Sequence, residues 1–219
     1  MKIKQHLDIS TLMSFSSGSL SEPLSAVVAA HLDLCNSCRS QLEELDVLGS
    51  VLMETLEPSE LDQPAPEPEL AFGSRRNHGI DRATHSGGGE TVDFIARIRA
   101  LKEGDSSAVK WRWMGPGIHY AKLPLSKDVE GDLRLLKIAP GQKLPEHGHN
   151  GTELTLVLSG AYRDETGHYG PGDISDLDED VEHQPIVEPG QDCICLIGFD
   201  ESARFKGVMS RIMQPLSGM

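Results

Sequence analysis

Residues 141–160 read GQKLPEHGHNGTELTLVLSG, and this stretch decides the fold of the C-terminal half. Written as spacing, it is G-x5-H-x-H-x3-E-x6-G. His147 and His149 are two residues apart, so both rings point to the same face if they lie on a β-strand. Glu153 follows a short turn and opens the next strand. If the shared face is the inside of a barrel, two imidazoles and a carboxylate converge on one point, and such a set can bind a divalent metal.

The same spacing resembles the first motif of the cupin family, whose members are small double-sheet β-barrels with a metal inside. A second cupin motif, G-x5-P-x-G-x2-H-x3-N, implies one more ligand, and counting from Gly172 places it at His183. This second motif is unusual, because Asp178, Asp180 and Val187 replace its proline, glycine and asparagine. We expect zinc, although iron, manganese, nickel and copper accept such ligands. The predicted ligands are His147, His149, Glu153 and His183.

The chain on both sides of this motif has the pattern of a β-barrel. From Val109 onward, apolar residues alternate in short runs, as at Leu154, Leu156 and Leu158. Gly-Pro and Pro-Gly pairs separate the runs. Many short strands at this spacing indicate a sandwich or a barrel. We therefore assign residues 107–212 to an all-β cupin domain.

Two cysteines on a single predicted strand allow two interpretations. Cys193 and Cys195 are two residues apart, so their thiols share one strand face. They are either small buried apolar residues or a redox-active pair near the cupin metal. Neighbours at i and i+2 of a strand do not easily form a disulfide.

The N-terminal residues have a helical pattern. Leu24, Val27, Val28 and His31 recur at i, i+3, i+4 and i+7, which places them on one helix face. A short helix is expected before them, and a leucine stripe predicts a third helix over about 38–56. Three helices of this size make a poor core, and a unit of roughly 55 residues usually needs a staple or a partner.

A second group of predicted metal ligands would cross-link these helices. His31, Cys35 and Cys38 form a His-x3-Cys-x2-Cys motif at the end of the second predicted helix. His6 is the best remaining candidate in this module for a fourth ligand. Two sulfur and two nitrogen ligands favour tetrahedral zinc. Four protein ligands leave no open position for a substrate, so this zinc is expected to be structural.

The N-terminal domain is expected to include a linker and a further helix after it. Residues 57–90 are rich in proline and acidic residues and end in a run of three glycines, Gly87 to Gly89, which is typical of a flexible connection. Residues 91–102 return to helical spacing. A lone helix of about 12 residues is marginal in water, so it should dock on another surface. We therefore define residues 1–102 as the N-terminal helical domain.

The zinc motif and the fourth helix resemble the zinc-binding anti-sigma domain, and its fusion to a cupin resembles the ChrR-type anti-sigma factors. This resemblance spans the whole chain. In that family the N-terminal domain holds an extracytoplasmic-function sigma factor away from RNA polymerase. The cupin domain senses oxidative stress from singlet oxygen or hydroperoxides. The resemblance therefore implies a transcription regulator, not an enzyme, that sequesters such a sigma factor and releases it under stress.

Charge and apolar surface agree with a protein partner. The net charge is −14, and residues 1–70 hold twelve acids and three bases, a balance of −9. An acidic chain repels phosphate, so direct nucleic-acid binding is not expected, whereas an acidic helical domain suits a basic partner. Leu45, Leu48 and Leu52 lie on the third-helix stripe, which is either the partner interface or the module's own core.

The remaining features set the expected location and the competing functions. The start of the chain lacks the apolar run of a signal peptide, and no stretch is apolar enough for a membrane helix. We therefore expect a cytoplasmic protein with four reduced cysteines. The alternative function is a cupin metalloenzyme, a dioxygenase or isomerase, with a structural zinc module. A third is a ligand-binding sensor that controls a different protein.

Overall fold

The computed structural model describes residues 2–57 and 109–200, together with the backbone of residues 204–205. The predicted helix over 91–102 lies outside the described residues, as does the predicted linker over 57–90 beyond its first residue.

Three helices form the N-terminal part, as the sequence pattern predicts. The side chain of Asp8 accepts a hydrogen bond from the Ser10 backbone N–H at 2.9 Å and so caps the first helix. Pro23 occupies the first turn of the second helix, where its missing N–H costs nothing. The third helix begins directly after Cys35. The helices are α1 (Ile9–Ser16), α2 (Glu22–Leu32) and α3 (Asn36–Glu54).

Twelve short strands follow in the part of the chain that the structure describes, and all their pairings are antiparallel. They are β1 (Arg112–Gly115), β2 (Ile118–Lys122), β3 (Asp132–Ile138), β4 (His147–Gly148), β5 (Glu153–Ser159), β6 (Tyr162–Arg163), β7 (His168–Tyr169), β8 (Ile174–Leu177), β9 (Glu182–His183), β10 (Ile186–Val187), β11 (Cys193–Phe199) and β12 (Arg204–Phe205). The largest sheet has the order β1-β2-β3-β11-β5-β8. Two three-stranded sheets, β10-β6-β7 and β12-β4-β9, complete the cupin-like fold. Helices followed by a cupin barrel confirm the predicted fold class.

The large sheet is covered on both faces. One face carries the alternating leucines, such as Leu135, Leu154 and Leu196, which form one hydrophobic cluster with α1, α2 and the start of α3. The other face lines the barrel interior and includes Val157 and Ile197. Strands β5 and β11 are therefore buried on both faces almost throughout. The described helices and the barrel share one continuous core.

Helix α2 lies very close to the sheet because of a glycine. A Cβ atom added at Gly198 of β11 would lie 2.5 Å from the Pro23 carbonyl oxygen and 2.9 Å from the Val27 side chain. Only a residue without a side chain fits between these two backbones. This close approach brings the face of α2 that contains His31 against the barrel.

Candidate metal centres

The barrel interior brings together the four residues that the cupin spacing predicts. Strand β4 carries His147, which lies opposite His183 of β9. His149 follows β4 directly, and Glu153 begins β5. One potential ligand atom from each of the four residues lies within 4.8 Å of the others, and all four residues are buried.

Hydrogen bonds behind two of the rings orient their other nitrogens inward. The Nδ1 atom of His147 lies 3.0 Å from the Pro145 carbonyl oxygen, and that of His183 lies 2.8 Å from Asp164 Oδ2. Both oxygens only accept, so each Nδ1 carries the hydrogen and each Nε2 presents a lone pair. The His183 Nε2 lies 3.1 Å from that of His147 and 3.4 Å from that of His149. Converging lone pairs repel one another unless a cation lies between them, so this group fits a metal.

The electrostatics of His147 and Glu153 match the protonation states that a metal needs. Burial lowers the pKa of His147 to about 4, so this ring is neutral at physiological pH. Burial opposes ionisation of Glu153, but the three surrounding histidines outweigh it and hold its pKa below the ordinary value. Neutral imidazoles and an ionised carboxylate are the forms that bind divalent metals.

Asp164 is a residue that the sequence analysis missed. It lies between β6 and β7, and its Oδ2 holds His183 while its Oδ1 accepts hydrogen bonds from Thr166 and Gly167. A carboxylate behind a ligating histidine fixes the ring orientation and raises its basicity. No spacing rule connects Asp164 to His183 nineteen positions later, and only the pairing of short strands brings them together. The unusual residues of the second motif therefore do not prevent His183 from reaching the site.

The N-terminal cluster is equally close. His6 Nδ1 lies 3.2 Å from Cys35 Sγ and 3.5 Å from Cys38 Sγ. His31 Nε2 lies 3.3 Å from Cys38 Sγ. Tetrahedral zinc with Zn–S of about 2.3 Å and Zn–N of about 2.0 Å separates a sulfur and a nitrogen ligand by about 3.5 Å. The four side chains therefore match the spacing of a closed zinc site.

The environment of this cluster also fits a cation. Burial raises the pKa of the Cys38 thiol to about 11, so a bound cation is needed to hold this sulfur as a thiolate at neutral pH. Burial lowers the pKa of His31 to about 4 and keeps the ring neutral. Its Nδ1 donates to the Gly172 carbonyl oxygen at 3.1 Å, which leaves Nε2 for the metal. Gly172 belongs to the barrel, so one ligand of the N-terminal cluster is oriented by the cupin fold.

Comparisons with known proteins agree with both parts of the chain. The model of the ChrR cupin-like domain family matches residues 102–203. The anti-sigma-E factor ChrR of Cereibacter sphaeroides is 39% identical over 218 residues, which cover 98% of each chain. The chain belongs to the ChrR family of anti-sigma factors. The resemblance inferred from the two motifs is thereby confirmed, and membership makes the chain a regulatory protein and not an enzyme.

Solved structures extend the comparison. ChrR of Rhodobacter sphaeroides, crystallised in complex with SigE, is 37% identical, and the match covers 91% of this chain and all of that one with a TM-score of 0.67. An RmlC-like cupin from Ralstonia eutropha is 17% identical over 52% of this chain and 86% of that one, with a TM-score of 0.40. Among the described residues of this ChrR family member, no helix is both long and apolar enough to cross a membrane.

The two barrel cysteines lie side by side in this ChrR family member. Cys193 and Cys195 are buried on the inner face of β11, with their sulfurs 3.6 Å apart. The hydrogen bond with Cys193 and the burial raise the pKa of Cys195 well above its ordinary value. The Cys195 sulfur is therefore a neutral thiol at physiological pH, which is a poor nucleophile. Whether the pair is redox-active stays a prediction.

The leucine stripe of α3 divides into two parts. Leu42 is buried and Leu45 packs partly against the shared core. Leu48 and Leu52 are 53% and 57% exposed. Other exposed apolar side chains, which are not among the predicted partner contacts, lie beside them. We call the whole exposed set, on α3 and just after its end, the α3 stripe. It consists of Val47, Leu48, Val51, Leu52, Met53 and Leu56.

Proposed function

We propose that this chain is an anti-sigma factor that sequesters an extracytoplasmic-function sigma factor and releases it under oxidative stress. The observation that carries the proposal is the likeness, over almost the whole chain, to a ChrR crystallised in complex with SigE. Residues 1–102 would form the sigma-binding unit and residues 107–212 the sensor. A partner that acts on RNA polymerase would place the protein in the cytoplasm, and direct contact with nucleic acid is not required.

The α3 stripe supports sigma binding. Six large apolar side chains within ten residues are more than half exposed, and an apolar patch of this kind typically marks a protein interface. Glu43, Glu44 and Glu54 lie on the same helix, so the surface is apolar with acidic surroundings. Such a surface suits a basic partner. Leu48 and Leu52 would contact the sigma factor directly, whereas Leu45 would support the helix from the core.

Zinc bound to His6, His31, Cys35 and Cys38 would hold the sigma-binding helices together. This site ties residue 6 to the junction of α2 and α3, so it fixes the direction in which α3 leaves the core. Its role is structural, because four protein ligands close the coordination sphere. Loss of zinc would release the N-terminal segment and change the orientation of the α3 stripe.

The cupin metal site would be the sensor. A divalent ion, most simply zinc, would be held by His147, His149, Glu153 and His183. Singlet oxygen or a hydroperoxide would alter these ligands or the adjacent Cys193 and Cys195. The raised pKa of Cys195 keeps its sulfur as a thiol, which is a poor nucleophile. The oxidant would therefore react at the metal ligands before it reacts with this cysteine.

Contacts between the barrel and the N-terminal segment provide a route for the signal. Asp173 Oδ1 accepts hydrogen bonds from the backbone N–H groups of Lys4 and Gln5 at 2.6 and 3.0 Å. The adjacent carbonyl of Gly172 holds His31. Strand β8 follows directly and pairs with β5, where Glu153 lies opposite Leu177. A change at Glu153 would therefore reach the zinc cluster through two paired strands, and it would release sigma only if it favours a state with weaker sigma contacts.

Co-expression tests this proposal. The full chain, carrying an affinity tag, is produced with each extracytoplasmic-function sigma factor of the same organism, and the purified material is analysed for stoichiometry and metal. We expect a one-to-one complex with one sigma factor and zinc bound to the N-terminal cluster. A chain that retains its metal but captures no sigma factor would refute the proposal.

A further inference from the structure

The barrel of this chain contains a cavity next to its predicted metal ligands. Its volume is about 100 Å³, and His147, Glu153 and His183 lie along its wall. Almost all of the remaining wall is aliphatic or aromatic. These apolar residues include Met114, Ile118, Leu136, Ile138, Ile197 and Phe199. Besides the predicted ligands, Arg134, Thr155 and Tyr162 are the polar side chains among the described residues of the wall, so the space is mostly apolar.

The cavity has one polar end that is open to a ligand. Arg134 also lines it, but its guanidinium already forms an ion pair with Asp132 and lies over the Phe199 and Tyr120 rings at 5.2 and 5.8 Å. A buried cation that is paired in this way has little capacity for a second anion. Thr155 already donates its hydroxyl to Glu153 at 3.1 Å, and Tyr162 offers a single hydroxyl. The predicted metal ligands are thus the main place where a ligand's polar group would be held.

The charge balance of the predicted metal site indicates which polar group a ligand should carry. A histidine binds a metal as a neutral imidazole, so three imidazoles and Glu153 would offset only one of the two charges of a divalent ion. Asp164 does not belong to the predicted ligands, because the His183 ring lies between it and the metal position. Its negative charge is also stabilised by hydrogen bonds from Thr166 and Gly167. A buried charge that is left uncompensated is costly, so a ligand with a single negative charge on oxygen fits this end best.

Size selects the rest of the molecule. An apolar cavity of about 150 Å³ accommodates the six carbons of benzene, so this smaller cavity has room for a chain of about four or five carbons, with the carboxylate beside the predicted ligands. We propose that the barrel binds a short-chain fatty acid, with its carboxylate at the His147–Glu153–His183 end and its chain against the apolar wall. This ligand class would deepen the sensor role given under the proposed function, but the binding itself does not depend on that role.

The test is calorimetric titration of the metal-loaded full chain, without sigma factor, with straight-chain carboxylates from acetate to decanoate. Hexanoate should bind most tightly, and butanoate should bind about tenfold more weakly because two buried methylenes are lost. Decanoate should also bind more weakly, because its chain exceeds the cavity. Hexanol, which lacks the charge, should bind at least as weakly as butanoate. Equal affinity across the series, or binding of none of these acids, would overturn the proposal.

Variants locate the binding. Leu136→Trp places a large ring in the cavity and should weaken hexanoate binding by at least about tenfold. Lys137→Trp adds the same ring at the neighbouring residue, whose side chain reaches Asp192 near the surface, and should leave binding unchanged. Ile138→Phe adds a smaller ring to the same cavity, and it is the variant to use if Leu136→Trp fails to fold. Unchanged binding by the cavity variants would contradict the assignment.

Sigma capture by the same variants is measured separately. Because the α3 stripe lies outside the barrel, Leu136→Trp should still capture the sigma factor if the proposed function is correct. Loss of hexanoate binding with normal sigma capture therefore supports the ligand site. Normal hexanoate binding with no sigma capture by the wild-type chain would refute the proposed function and leave the ligand site intact.

Discussion

The side chain of Asp173 holds two residues of the N-terminal segment against the barrel. Its Oδ1 receives two backbone N–H groups, from Lys4 and Gln5, and its Oδ2 receives that of Gly170 at 2.9 Å. His6 is the next residue along the segment. Hydrogen bonds to an ionised acceptor are stronger than those between neutral groups, so Asp173 positions one of the predicted zinc ligands without touching the metal.

Replacing Asp173 should therefore weaken zinc retention. Asp173→Ala removes three charge-assisted hydrogen bonds, of which two hold residues 4 and 5, and we expect zinc affinity to fall by at least about tenfold, since each such bond contributes about 1.5–3 kcal/mol. Asp173→Asn keeps one acceptor and should show a smaller loss. Zinc affinity is measured by competition with a chromogenic chelator. Identical affinity in wild type and Asp173→Ala would show that Asp173 does not position His6.

Asp176 makes the opposite type of contribution. Burial raises its pKa above the ordinary value, although its Oδ2 accepts a hydrogen bond from the Asp8 backbone N–H at 3.0 Å. The folded state thus binds a proton at Asp176 more tightly than the unfolded state, so the contribution of this group to stability is greatest at acid pH and falls as pH rises through its folded pKa.

Asp176→Asn should remove this penalty and still accept the hydrogen bond. We expect its thermal midpoint at pH 7.5 to exceed that of the wild type by about 2 °C, and the difference to shrink as pH falls toward the raised pKa of Asp176. The midpoints are read by circular dichroism across that range. A variant that is less stable at pH 7.5 would mean that the carboxylate is favourable despite its burial.

At the scale of elements, the sequence predicts long strands such as β5 and β11 but not what covers them. The alternation of Leu154, Leu156 and Leu158 identifies a strand with one apolar face. The apolar face of an antiparallel strand usually faces its own barrel, but these leucines face the helices. Alternation gives the two faces of a strand and carries no information on which neighbour packs against each.

The close contact between α2 and β11 is testable at Gly198. Gly198→Ala places a methyl group 2.5 Å from the Pro23 carbonyl oxygen, and backbone cannot move aside as a flexible side chain can. We expect a loss of about 1–3 kcal/mol in the free energy of unfolding, measured by denaturant titration.

Gly49→Ala is the matched control for Gly198→Ala. Gly49 lies within exposed helix α3, and a Cβ added there meets no atom within 4 Å. Alanine should stabilise the helix by about 0.5–1 kcal/mol. If Gly198→Ala is as well tolerated as Gly49→Ala, α2 is not held tightly against the sheet.

The second half of α3 supplies a prediction about binding. Leu48→Asp and Leu52→Asp place a charge in the α3 stripe, so each should reduce sigma affinity by at least about tenfold through the cost of burying that charge. Both positions are exposed, so the thermal midpoint should stay within about 2 °C of the wild type.

Gln41→Asp, at an exposed position in the first half of α3, is the control for the stripe variants because it adds the same charge to the same helix. It should leave sigma affinity unchanged. A similar loss of affinity in all three variants would point to net charge and not to the α3 stripe.

At the scale of the whole molecule, the two candidate sites differ in what the sequence reveals. Seven of the eight predicted ligands in the two four-residue groups follow from spacing along the chain, whereas His6 is the best remaining candidate in its module. Asp164, Asp173 and Gly172 hold these groups in place, and they come from loops whose contacts depend on tertiary packing. Local spacing reports which side chains share an element, whereas the groups behind the ligands depend on which elements meet.

The same limit applies to the relation between helices and barrel. Composition predicts a helical part, a linker and a barrel, and the described residues contain the first and the last. It does not predict that both share one core, because each part alone has an ordinary apolar pattern. This shared core makes the barrel a direct neighbour of the helices that we propose to bind sigma, as the proposed sensor role requires.

The most direct test of this account is release of the sigma factor from the purified complex under illumination with a singlet-oxygen generator. The time course is followed by fluorescence anisotropy of a labelled sigma factor, for the wild-type chain and for His147→Ala. We predict release from the wild type and retention by His147→Ala, which should still bind sigma before illumination. Equal release from both would contradict the claim that the cupin metal site controls the anti-sigma activity.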